Sequence, residues 1–129
     1  KLNATEKMVS NFISSFSIGD QAKTTSFLDE NVISYITNSD RMAKKLQSRS
    51  EFMTSIPNDL STIKPTVTIT QTLSVKRNLV LTMTEVKAER KGKKLHNHAA
   101  YLMKVRNKKI THIWMVDALP AYSDQFWKS

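Results

Sequence analysis

The chain has no cysteine, only two glycines and three prolines, and no long apolar run among its 129 residues. Without cysteine there is no disulfide, no thiolate metal site and no cysteine nucleophile. With so little glycine and proline there is little linker-like sequence, and neither an internal repeat nor a low-complexity tract divides the chain. One domain spanning residues 1–129 is therefore expected, long enough to bury roughly 65–70% of its unfolded surface. No stretch approaches the ~18 apolar residues of a membrane helix, so no membrane partner is expected. A glycine-rich phosphate loop, a nucleophile elbow and a metalloprotease helix motif are also missing, which argues against nucleotide-dependent and serine-hydrolase chemistry. Position 1 is lysine rather than methionine. The expectation is that a preceding segment has been removed, with cytoplasmic and periplasmic or secreted locations both open.

Hydrophobic residues make up 40% of the chain and charged ones 24%, the balance of a globular domain. The net charge of +9 gathers in Arg41–Arg49, Lys76–Arg77, Lys87–Lys94 and Lys104–Lys109. Each cluster falls at a turn or on an exposed face, which reads as a solvated surface. Nucleic acid is an unlikely partner, because no recognition motif and no interleaved aromatics accompany the charge.

Asn3 and Glu6 have capping-box spacing, and Met8, Phe12, Ile13 and Phe16 then recur at helical intervals. Gly19-Asp20 ends this helix and starts a short second one with Ala22, Phe27 and Leu28 as its apolar contacts. After a turn at Asp29–Asn31, Val32–Asn38 is rich in β-branched and aromatic residues and predicts a strand. Asn38–Gln47 is polar and basic and reads as a loop or a loose helical turn. Ser48 and Glu51 repeat the capping spacing before a helix with Phe52, Met53 and Ile56, interrupted at Pro57.

From Lys64 the period becomes two. Val67, Ile69, Leu73 and Val75 alternate with threonine and serine, a half-buried antiparallel pattern. Three further strands are predicted: Leu79–Lys87 with Leu79, Leu81 and Met83 sharing a face, Leu95–Arg106 with Ala99, Tyr101, Met103 and Val105 inward, and Ile110–Asp117. Gly92 marks the tip of the long hairpin between the first two of these. A terminal amphipathic turn carries Tyr122, Phe126 and Trp127. Helices followed by a meander of strands indicate α+β, with N-terminal helices covering a long, curved, mostly antiparallel sheet.

This element order, with the passage Val105-Arg106-Asn107-Lys108-Lys109-Ile110-Thr111-His112-Ile113-Trp114-Met115-Val116-Asp117, resembles the nuclear transport factor 2-like superfamily and, within it, the SnoaL-like polyketide cyclase branch. The resemblance implies a cone with a pocket open at one end and a homodimer formed through the outer sheet face. It also implies a range of roles from cofactor-free isomerases and cyclases to non-catalytic binding domains. Asp117 resembles the aspartate that the cyclases use as acid and base. In apolar surroundings such a carboxylate would suit proton transfer next to a carbonyl. The competing expectation is that Asp117 merely ends the strand and caps the turn at Ala118–Pro120. A spacing from Trp114 about one residue shorter than the cyclase pattern would even turn it to the other face.

Tyr35, Tyr101 and Met115 are the expected pocket residues, with His98 joining them if the hairpin twists that end inward. His96, His98 and His112 could bind a divalent metal in principle. His96 and His98, however, share a face with Lys104 and Arg106, so a solvated or dimer-facing role and no metal are expected. Trp114 is expected either on the outer face, as a dimer anchor, or under the terminal segment. The leading functional expectation is a homodimeric domain binding a small hydrophobic ligand in the cone, without a cofactor. The alternatives are an acid/base enzyme using Asp117 and an interaction module using the basic hairpin tip Arg90–Lys94.

Overall fold

The computed structural model describes residues 1–128. Helices α1 (Ala4–Ser17) and α2 (Gln21–Phe27) lead into strands β1 (Leu28–Thr37) and β2 (Ala43–Gln47), then helices α3 (Arg49–Ser55) and α4 (Leu60–Ile63). Strands β3 (Thr66–Lys76), β4 (Leu79–Arg90), β5 (Lys93–Arg106) and β6 (Lys109–Asp117) follow, and helix α5 (Pro120–Lys128) closes the order. The six strands form one sheet in the order β2-β1-β6-β5-β4-β3. Only the β1–β6 pairing is parallel. The last strand in sequence is thus an interior strand of the sheet, flanked by β1 and β5. The architecture is the expected α+β cone, with an open, curved sheet.

Local sequence chemistry sets the helix ends. The Asn3 Oδ1 accepts from the Glu6 amide at 2.8 Å while Glu6 Oε1 accepts from the Asn3 amide at 2.9 Å, a complete capping box. The Ser74 hydroxyl donates to Glu6 Oε2 at 2.8 Å, which ties the start of α1 to β3. These bonds favour the Glu6 anion and hold its carboxyl below the usual range, the Asn3 amide being the larger cause. Gly19 follows α1 at φ +73°, and a Cβ there would come within 2.6 Å of the Ser61 amide nitrogen. Any side chain would therefore be strained by the backbone angle and would also push α4 away.

Phe12 sits at the centre of the core. It is almost fully buried and meets Phe16, Phe27 and Phe52 at ring separations of 6.2–6.3 Å. Around it are Val9, Ile13, Leu28, Val32, Val80, Met103, Ile110 and Ile113, contributed by α1 and by four strands. Ala22, an expected contact of α2, is exposed, and Thr24 is the buried residue instead, hydrogen-bonded to Ser15.

Two single-residue slips bend the sheet and change which residues face the core. In β3 the pairing with β4 shifts between Ile69 and Gln71, leaving Thr70 unpaired with its hydroxyl donating to the Met83 carbonyl at 3.2 Å. Beyond that bulge Leu73 and Val75 turn outward and are 57% and 52% exposed. In β4 the face shared by Leu79, Leu81 and Met83 is the outer one. Val80, Thr82 and Thr84 are buried, while Met83 is 46% exposed on the outer face. In β6 the pairing with β5 shifts past Thr111, so both Ile110 and Ile113 point inward, although they are three residues apart. A strand with one extra residue bends and twists more strongly, which curves this sheet around α1 and α3.

Asn38–Gln47, expected as a loop, contains β2, antiparallel to β1 from Ile33↔Gln47 to Thr37↔Ala43. Only its Leu46 is buried, so the strand shows no alternating hydrophobic signal, and its lysines suit an exposed sheet edge. The hairpins turn on residues at positive φ: Asn78 in the first, Lys91 and Gly92 in the second, Asn107 and Lys108 in the third. In two-residue hairpin loops these angles match the right-handed twist of the flanking strands.

Replacing Phe12 by alanine should destabilise the fold by about 3–5 kcal/mol, the cost of a large buried aromatic. Urea denaturation followed by circular dichroism measures this, and a loss below about 1 kcal/mol would contradict the central position given to Phe12.

Candidate functional site

Strand curvature and helix placement leave a cavity of about 530 Å³ on the concave side of the sheet. Its walls come from α1 (Ile13, Phe16), β1 (Ile36, Thr37), α3 (Phe52, Ser55), β5 (Asn97, Tyr101), β6 (Ile113, Met115, Asp117) and α5 (Ser123, Trp127). Apolar side chains provide most of the lining. Asn97, Tyr101 and Asp117 are among the polar residues that line it from the sheet, together with Thr37 and Lys44.

Asp117 faces this cavity. Downstream of the Thr111 slip the alternation of β6 is regular, so Ile113, Met115 and Asp117 share the inner face. Its Oδ1 accepts from the Asn97 side-chain amide at 2.7 Å and from the Leu119 backbone amide at 2.9 Å. The strand-end cap foreseen for the Ala118–Pro120 turn is therefore real, and the same carboxylate also reaches the cavity. Further bonds fix the backbone there: the Asp117 amide donates to Thr37 Oγ1, Thr37 donates to the Met115 carbonyl, and the Ala118 amide donates to the His98 carbonyl. Both bonds to the carboxylate end on Oδ1. Among the described residues no donor is bonded to Oδ2.

Tyr101 stands on β5 beside this group, paired with Met115, while Ala99 pairs with Asp117. Removal from water pushes its hydroxyl up to about 12, and the negative charge of Asp117 adds to the shift. Like any tyrosine it is neutral at physiological pH and able to donate a hydrogen bond, and the raised value extends that state into alkaline solution. Asn97 was missed by sequence reasoning. An asparagine within a strand, between two histidines, is unfavourable on propensity, and that anomaly was the available signal.

The remaining expected site residues separate. Met115 lines the cavity. Tyr35 does not. The inner face of β1 carries Val32, Ser34 and Ile36, and Tyr35 lies on the outer face, stacked on Trp114 at 6.2 Å with 10° between the planes. Trp114 in turn stacks on His112, and the outer-face alternative expected for it holds. The His98 backbone borders the cavity, but its side chain is 61% exposed on the outer face near Glu85, because the alternation of β5 runs unbroken from Leu95 to Arg106.

The basic hairpin tip is reduced as well. Arg90 is largely covered, pairs with Asp59 at 3.2 Å and donates to the carbonyls of Phe126 and Trp127 in the last turn of α5. It is a clamp on the helix that borders the cavity, where a cation meets the negative end of the helix dipole. Tyr122 adds a second tie, donating to the Lys94 carbonyl and accepting from the His96 amide.

No family model matches the chain, and no curated protein matches it. Solved structures do. Bal32a, from a soil-derived mobile gene cassette, has 18% identity, coverage of 95% of both chains and a TM-score of 0.79. A protein of Shewanella putrefaciens assigned to the SnoaL-like polyketide cyclases has 11% identity, coverage of 100% of this chain and 89% of that one, and a TM-score of 0.78. A nuclear transport factor 2-like protein of unknown function from Cytophaga hutchinsonii has 16% identity, coverage of 91% and 92%, and a TM-score of 0.64. The chain has the nuclear transport factor 2-like fold, shared with SnoaL-like proteins.

A phenol whose ionisation is suppressed by folding makes stability depend on alkaline pH. Above pH 10 an unfolded chain ionises this tyrosine while the folded chain keeps it protonated, so stability should fall as pH rises between 10 and about 12. Asp117→Asn should bring the Tyr101 pKa part of the way back toward 10, since desolvation is the larger cause. Following the Tyr101 ring resonances through a pH titration tests this, and an unchanged midpoint would deny the electrostatic link.

Proposed function

We propose that the chain binds a small, largely apolar organic molecule in the cone, with an acceptor such as a carbonyl oxygen directed at Tyr101 and a donor or acidic C–H directed at Asp117. One observation carries this reading: a cavity of about 530 Å³, within the size range of small-molecule sites, lined by the Tyr101 phenol and by the Asp117 carboxylate, whose second oxygen has no hydrogen-bond donor among the described residues. A ligand without polar groups would offer neither group a partner in apolar surroundings, which is costly. Selection should therefore favour ketones, enones and hydroxy-ketones over pure hydrocarbons.

The same arrangement favours a second reading, a cofactor-free acid/base enzyme. Asp117 would take a proton from the carbon next to the carbonyl while Tyr101 donates a hydrogen bond to the oxygen that becomes negative. Returning the proton at another carbon would complete an isomerisation. The assignment of the Shewanella neighbour points the same way.

We also propose a homodimer through the outer sheet face. Direct cross-strand partners Leu73, Leu81, Leu102, Trp114 and Tyr35 form an apolar row across five strands, with Met83, Ala100 and Val116 beside it. Val116 is 61% exposed, and a continuous apolar surface of this kind is typical of a protein contact.

A thermal-shift screen should find apolar ketones or enones that raise the melting temperature. Met115→Trp, which fills the cavity, should abolish the effect, and Tyr101→Phe should weaken binding by about two- to tenfold, the worth of one hydrogen bond. Absence of any stabilising carbonyl compound would reject the binding reading. Exchange of the ligand's α-protons with deuterium, lost in Asp117→Asn while binding persists, would establish the enzyme. Sedimentation of the intact chain should show a dimer that Leu73→Asp with Val116→Asp converts to a monomer. A monomeric unsubstituted chain at micromolar concentration would reject that part.

A further inference from the structure

On the outer face of the β4–β5 hairpin, away from the cavity, three side chains with metal-binding chemistry meet. Glu85 and His98 are direct cross-strand partners, and His96 lies two residues before His98 on the same face, diagonal to Glu85. One donor atom from each lies within 4.8 Å of the other two. The His96 Nε2 is 2.6 Å from Glu85 Oε2, the His98 Nε2 is 3.9 Å from the same oxygen, and the two imidazole rings are 5.6 Å apart. His112, the third histidine, takes no part. It pairs with Lys104, stacks on Trp114 and shares a hydrogen bond with Thr111.

We propose that Glu85, His96 and His98 form a surface site for a divalent first-row transition-metal ion, with solvent completing the coordination. Two imidazoles and one carboxylate suit zinc, copper or nickel far better than calcium or magnesium, which prefer all-oxygen shells. Tetrahedral zinc with bonds of about 2.0–2.1 Å places neighbouring donors about 3.4 Å apart, between the two separations seen here. Small side-chain rotations reach that geometry. The two imidazoles are free to make them, being 56% and 61% exposed.

The ladder supplies the preorganisation. Two histidines at i and i+2 on one strand and a carboxylate opposite the second have their Cβ atoms fixed by backbone pairing, so chelation orders few additional bonds. The contact of 2.6 Å between His96 Nε2 and Glu85 Oε2 already holds two of the three donors together. Lys87, the cross-strand partner of His96, is the cation that acts on Glu85 from its own strand. Its flexible stem lets the ammonium leave as a metal enters.

The test is a zinc titration of the untagged full chain at pH 7.5 by isothermal calorimetry, with histidine ring resonances followed by NMR. One ion per chain is expected, shifting His96 and His98 and leaving His112 unmoved. His96→Ala and His98→Ala should each weaken binding by about tenfold or more, with His112→Ala as the silent control. All three side chains lie at the surface, and circular dichroism verifies that the variants fold. Cobalt added to the unsubstituted chain gives an independent reading through the visible bands of a four- or five-coordinate centre. Absence of binding at millimolar zinc, or binding that survives the double substitution His96→Ala with His98→Ala, would overturn the proposal.

Discussion

Strand β6 lies between β1 and β5, and its face alternation decides the character of the interior. The slip at Thr111 lets Ile110 enter the Phe12 core and then resets the alternation, so that Ile113 completes the core and Met115 and Asp117 reach the cavity. Without the slip, Ile110 and Asp117, seven residues apart, would face opposite sides. The Thr70 slip has the complementary effect on β3. It carries Leu73 and Val75 to the outer face and leaves Thr72 and Ser74 turned toward α1, where Ser74 meets Glu6. Both positions are threonines whose hydroxyls bond to a carbonyl of the neighbouring strand, which compensates part of the ladder lost at the bulge.

At the cavity, three residues divide the chemistry. Asn97 and the Leu119 amide hold one oxygen of Asp117, which orients the carboxylate, and among the described residues no donor is bonded to the other oxygen. Tyr101 keeps its proton further into the alkaline range than a free phenol, because burial and the nearby negative charge of Asp117 both disfavour the phenolate. A donor and an acceptor are thereby presented side by side in apolar surroundings, which is as compatible with holding a carbonyl compound as with enolising one. Helix α5 closes this end of the cone, tied by Arg90 and Tyr122, with Pro120 and Phe126 as its buried residues.

Helices α1, α2 and α3 and the four-strand meander were legible in the sequence because their signals are local: a capping box at Asn3 and Glu6, helical spacing at Phe12 and Ile13, and positive-φ turn residues at Gly92 and Asn107. The single turn α4, which has no side-chain cap, was not expected. Facing was legible only where alternation is unbroken, as in β5, where Tyr101, Met103 and Val105 point inward as expected. It failed beyond Thr70, because an extra residue leaves no mark in a hydrophobic pattern with apolar residues on both faces. In β6 the slip displaces only the residues before it, and Ile113, Met115 and Asp117 keep one face. Tyr35 failed for a related reason. Ile33 and Tyr35 on one side of β1, and Val32 and Ile36 on the other, are equally plausible interior sets, and pairing with β6 decides between them. Strand β2 was invisible because an edge strand needs only one buried residue, Leu46. The Arg90 clamp and the Glu85–His96–His98 group depend on contacts between distant segments or adjacent strands, which no single stretch of sequence displays.

The interior position of β6 has a consequence for the order in which this chain is made. Every other strand leaves the ribosome before it, so until β6 follows no strand pairing joins β1–β2 to β3–β4–β5. The side of β1 that will receive β6 and the matching side of β5 stay open in the nascent chain, each with a row of unpaired backbone groups. Joining the halves requires β1 and β6, some eighty residues apart, to find each other in parallel register. Long-range pairing of this kind makes folding slow. During synthesis those two open sides, rather than the finished surface, are where a neighbouring chain can add a wrong strand.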